Sequence, residues 1–157
     1  MVSKRILIVS ADNFYNNAKN FFQGEVSSDN LVLTNILLRQ RLIDNNIIME
    51  CMADTKDPVE SYDLIIFNEL PIKGTKQMKL FQNCLTKPIK KILIAMETEV
   101  VRKEYCDLQE FLKVFDLVFS WNEDFSNHQN FRKVNFSSYL ESSFDLERER
   151  KLLCCIA

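Results

Sequence analysis

The chain has 157 residues, 46% of them hydrophobic and 27% charged, with a formal net charge of −2. That length supports one domain with a core of its own, and the composition excludes wholesale disorder. A near-neutral balance excludes a dedicated electrostatic nucleic-acid binder, and a single histidine, His128, excludes multi-histidine metal sites.

In chain order, Ile6-Leu7-Ile8-Val9 is an aliphatic run closed by Ser10-Ala11-Asp12-Asn13. An all-apolar run bounded by turn formers predicts a central strand of a parallel sheet. Residues 14–30 carry no clear period. Ser28 or Asp29 is a candidate cap for a helix over 31–45, with Leu31, Leu38 and Leu42 on one flank and Val32, Ile36 and Ile43 beside them. Ile47 to Cys51 predicts a second strand. A loop punctuated by Pro58 leads to a third strand, Tyr62-Asp63-Leu64-Ile65-Ile66-Phe67, which ends at Asn68-Glu69-Leu70-Pro71. Thr75 to Leu85 predicts a helix. Lys91 to Met96 is the fourth strand, ending at Glu97-Thr98-Glu99. Glu104 to Phe115 is amphipathic, and Asp116 to Trp121 is the fifth strand. Arg132 to Phe136 is a short extended piece. Strands that alternate with helices predict an α/β domain with a mostly parallel, Rossmann-like sheet flanked by helices.

Two glycines, Gly24 and Gly74, stand where an average chain carries about 7% Gly. Neither G-x-G-x-x-G nor a P-loop can be written from them, so those two nucleotide-binding routes are excluded. The five cysteines, Cys51, Cys84, Cys106, Cys154 and Cys155, are odd in number and form no C-x-x-C. They read as reduced thiols in a cytoplasmic setting, not as a zinc or redox site. The apolar stretch after Lys4-Arg5 is too short for a signal-peptide core or a membrane span. No metal and no cofactor is implied.

Ligands of open α/β sheets bind outside the carboxyl ends of the strands. Those ends carry Asp12-Asn13, Asn68-Glu69, Glu97-Thr98-Glu99 and Trp121-Asn122-Glu123-Asp124. A carboxylate there can serve as a general base, because partial burial raises its pKa toward neutrality. The plainer reading is that strand-end loops are polar because they face water. A phospho-accepting receiver domain is disfavoured, since the third strand ends in Asn68-Glu69 and no acidic pair follows the first. The lysines from Lys73 to Lys91 read as a solvated helix face, and His128 as exposed. Trp121 either stacks on a sugar or closes the core.

The segments Tyr62–Phe67, Lys91–Thr98, Phe115–Asn122 and Asp124, and the closing Lys151-Leu152-Leu153-Cys154-Cys155-Ile156-Ala157, taken in order and spacing, resemble family ten glycosyltransferases, the α-1,3/α-1,4-fucosyltransferases. The likeness covers residues 62–157; the first 60 residues match only in general pattern. It implies half of a GT-B enzyme, in which two Rossmann-like domains face each other across a cleft. Residues 1–150 would be the acceptor-side domain. Residues 151–157 would open the second domain, which binds GDP-fucose and carries the family's most specific motifs. The implied catalytic base is Glu97, with Glu99 near enough to compete. Asn13, Asn68, Glu69, Glu99, Trp121 and Asn122 are the candidate substrate-binding residues. The implied partners are a glycan acceptor and, with the second domain, a nucleotide-sugar donor. The apolar run Leu152–Ile156 is a candidate for self-association. The alternative is a stand-alone α/β interaction or sugar-binding domain without catalysis.

Overall fold

The computed structural model describes residues 3–11, 13–23, 31–96, 112–122 and 128–134. Six strands form one sheet: β1 (Lys4–Ser10), β2 (Ile47–Cys51), β3 (Leu64–Asn68), β4 (Lys90–Ala95), β5 (Leu117–Ser120) and β6 (Phe131–Lys133). Every pairing is parallel and the order is β2-β1-β3-β4-β5-β6. The chain therefore builds outward in both directions from β1, and the switch point lies between β1 and β3. The expected parallel α/β architecture is present. The segment read as a short extended piece is a sixth strand, its start moved to Phe131, whose side chain is buried.

The α-helices among the described residues are α1 (Ala18–Gln23), α2 (Leu31–Asp44) and α3 (Lys76–Leu85). None of the described helices is long and apolar enough to cross a membrane. Because side chains alternate along a strand, the sheet has two apolar faces. One gathers Leu7, Val9, Ile65, Phe67, Leu93 and Val118 with Phe81 and Cys84 of α3. The other gathers Ile6, Ile8, Met49 and Cys51 with Phe21 and Phe22 of α1 and Leu42 of α2. The first face is buried along β1, β3, β4 and β5; the second is buried where β1 and β2 meet α1, while Leu64, Ile66, Ile92 and Leu117 on it stay half-buried. Apolar residues on both faces explain why the strands read as continuous apolar runs.

Helix α3 starts where Thr75 accepts a hydrogen bond from Met78 N, 3.2 Å away. Gly74 precedes the cap at φ 85, in the left-handed region that glycine enters without strain. Helix α2 departs from expectation. Leu42 packs on the sheet, but Leu38 and Ile43 are exposed. The helix is apolar on more than one side, and a sheet can bury only one stripe of it. The residues around its candidate caps, Ser28 and Asp29, and most of the amphipathic stretch Glu104–Phe115 lie outside the described residues. Leu112 and Phe115 at the end of that stretch are buried.

Two aspartates set strand register in the same way. Asp63 N donates to Arg5 O (2.9 Å), and its Oδ2 accepts from Arg5 N (2.8 Å). Asp116 N donates to Lys91 O (2.9 Å), and its Oδ2 accepts from Lys91 N (2.7 Å). Each follows a buried aromatic, Tyr62 or Phe115, that anchors the start of its strand. The likeness of Tyr62-Asp63-Leu64-Ile65 to Phe115-Asp116-Leu117-Val118 thus has a physical cause. Asp116→Ala would leave Lys91 N without its acceptor and is expected to cost about 1–3 kcal/mol, with Asp116→Asn losing less. Urea unfolding measures this; a cost below about 0.5 kcal/mol, that of an ordinary surface change, would refute the clamp.

Two further expectations are corrected. Lys91 does not belong to a solvated face: it is 8% exposed, and its Nζ donates to Ile89 O at 2.7 Å. The strand's alternation turns it inward, and carbonyls satisfy the ammonium. Lys73, Lys76 and Lys79 are exposed as expected. His128 is half-buried rather than exposed, and it opens the turn before β6, where its carbonyl accepts from Phe131 N.

Candidate functional site

The carboxyl ends of β1, β3, β4 and β5 lie side by side at one edge of the sheet. At the first, Asn16 is buried and its amide holds β1 from both sides. Its Oδ1 accepts from Ser10 N (2.8 Å), and its Nδ2 donates to Ser10 O (2.6 Å). Asn13 begins the short 3₁₀ turn Asn13–Asn16 that delivers this side chain. Across the switch point, Ala11 N donates to Asn68 O at 3.0 Å.

The next two mouths are joined through Met96. Glu69 follows β3 with φ 69, and its N donates to Ile94 O at 2.9 Å. Its Oε1 accepts from Met96 N at 2.7 Å. Trp121, just past β5, donates from Nε1 to Met96 O at 2.8 Å and is 36% exposed. Asn122 N donates to Ser120 Oγ at 3.3 Å. The fold therefore brings Asn68, Glu69, Trp121 and Asn122 to one edge, with Asn13 beginning the turn after β1. Glu97 and Glu99 lie outside the described residues, as do Asp12, Glu123 and Asp124. Sequence reasoning missed Asn16 and Met96. Nothing in a lone Asn or Met marks it, since the Asn16 amide grips the backbone of Ser10 and Met96 acts through its own backbone groups, contacts that only the folded sheet aligns.

The question left open for Trp121 resolves toward the surface: the indole sits at the rim with its N–H engaged and part of the ring facing solvent. The two described thiols, Cys51 and Cys84, are buried and poorly suited to act as nucleophiles. Burial pushes Cys51 at the end of β2 up to about 12, and Cys84 in α3 up to about 11. Among the described residues, no three His, Cys, Asp or Glu side chains converge to hold a metal ion.

A groove of about 700 Å³ lies at the opposite, amino end of the strands, floored by Ile6, Ile47, Leu64, Ile92 and Leu117. Its rim includes Asp63 and Asp116, whose carboxylates are already committed to backbone N–H groups. The chemistry is richer at the carboxyl edge, where the topology of doubly wound sheets also places ligands. No family model, curated protein or solved structure matches this chain.

Proposed function

We propose that this domain is the acceptor-side half of a fucosyltransferase-like glycosyltransferase. Glu97 would take the proton from a glycan hydroxyl as that oxygen bonds to the sugar carbon and the nucleoside diphosphate departs. Donor binding and stabilisation of the leaving diphosphate would fall to a second domain, so this chain alone would transfer no sugar.

The observation that carries the reading is the pinning of Met96, the residue immediately before Glu97. Its N is held by Glu69 and its O by Trp121. A base is effective when it is presented in a fixed geometry, and this backbone leads into Glu97 from a fixed point. Trp121 also supports it: a half-exposed ring whose N–H is already satisfied offers its face to a sugar. That second feature equally favours sugar binding without catalysis.

Trp121 is the chain's one tryptophan, so its fluorescence reports on this edge alone. Titration with galactose- and N-acetylglucosamine-containing oligosaccharides is expected to give a saturable change, whereas GDP-fucose is expected to give none. No response to any oligosaccharide would overturn acceptor binding. Binding without transfer after addition of a donor-binding domain would decide for the non-catalytic reading. A response to GDP-fucose would overturn the division of labour.

A further inference from the structure

Glu69 is a glutamate where the backbone favours glycine. An L-residue in the left-handed region is strained, and only Gly, Asn and Asp visit it routinely. At Glu69 φ is 69, at the carboxyl end of β3 beside the switch point. Strain of this kind persists where the surrounding structure over-determines it. What this side chain does is visible in the ladder.

In a parallel pair, a residue that donates to one partner residue accepts from the residue two places further on. Glu69 N donates to Ile94 O, so the next donor in register is Met96 N. That N–H goes to the Glu69 carboxylate, Oε1, at 2.7 Å. The left-handed turn carries the main chain out of the sheet, and the side chain takes the acceptor's place. The bond is charge-assisted, hence stronger than the backbone bond it replaces. Met96 O then accepts from Trp121 Nε1 at 2.8 Å, extending the link from β3 across β4 to β5.

We propose that Glu69 is the positioning residue of this edge, a strut that sets the exit of β4 and the orientation of Trp121. This differs from the substrate contact expected from the sequence. What the strut positions rests on the sugar-binding reading above; the strut itself does not.

The test compares Glu69→Gln, Glu69→Ala and Glu69→Gly in the full chain. Gln keeps an acceptor at the same reach. Gly removes the strut and the strain together, so it tests the strut even where Ala impairs folding. Met96 amide exchange, read by NMR, is expected to accelerate about tenfold or more in the Ala and Gly variants, the size of one charge-assisted hydrogen bond. It should stay close to the original rate in Gln. Trp121 emission should shift in Ala and Gly but not in Gln, and oligosaccharide affinity should follow the same order. Unchanged Met96 exchange in Gly would overturn the proposal. So would a Gln variant that weakens sugar binding while leaving Met96 protected, since Glu69 would then touch the sugar. Loss of Met96 protection in a chain whose Trp121 answers to no oligosaccharide would uphold the strut and sink the functional reading.

Discussion

Phe67→Ala is expected to destabilise the domain by about 3–5 kcal/mol, which is a large share of the roughly 5–15 kcal/mol that holds a domain together. Phe67 is fully buried on β3. Its ring meets Phe81 of α3 edge-on, with centroids 5.3 Å apart, and Phe115 at 5.8 Å. Phe81 and Phe115 stack on each other at 5.5 Å. The triad therefore ties β3, α3 and the start of β5 into one contact, and alanine would leave a void that three separate elements would have to close. Aromatic pairs add to the area term through their edge-to-face geometry. Thermal unfolding should fall by roughly 6–20 °C for a chain of this size. Phe67→Leu should lose much less, since most of the volume is kept. An alanine variant within about 1 kcal/mol of the original would mean that this triad is not the centre of the core.

Glu97→Gln is expected to lower sugar transfer about 10²–10⁴-fold in the two-domain enzyme proposed above. Glutamine preserves shape but cannot accept the hydroxyl proton. The loss should appear in kcat, with acceptor affinity and thermal stability kept. The rise in rate with pH that marks ionisation of the base should vanish in the variant. Glu99→Gln is the necessary control, because the two carboxylates compete for the role in the sequence. A larger effect at Glu99 would reassign the base, and near-normal turnover in both variants would remove the mechanism.

Much of this architecture is legible one segment at a time. Tyr62–Phe67 and Asp116–Trp121 announce strands because they are short, apolar and bounded by polar or turn-forming residues, and the observed strands begin within two residues of those starts. Thr75 marks the start of α3 because a hydroxyl there can satisfy an orphan N–H. The candidate site was legible only as a list of strand ends. Asn68, Glu69, Trp121 and Asn122 share an edge because the strands are parallel, which follows from the predicted class, and because β3, β4 and β5 are successive neighbours, which does not. That Glu69 and Trp121 meet on the same peptide unit does not follow from it.

The class of fold, the supply of glycines for phosphate loops and the segments that become strands are all readable from the chain segment by segment. Those properties depend on local composition and period. Strand order, the place of the switch point, the inward turn of Lys91, the outward turn of Leu38 and Ile43, and the left-handed backbone at Glu69 were decided by tertiary structure. Backbone hydrogen bonds pair any apolar strand with any other, so order is settled only when all six compete for neighbours. A helix's apolar stripe likewise finds its face only when a sheet is there to cover it. Glu69 accepts its strain because a donor just past β4, 27 residues further along the chain, stands within reach of its carboxylate, a fact that no local window of sequence contains.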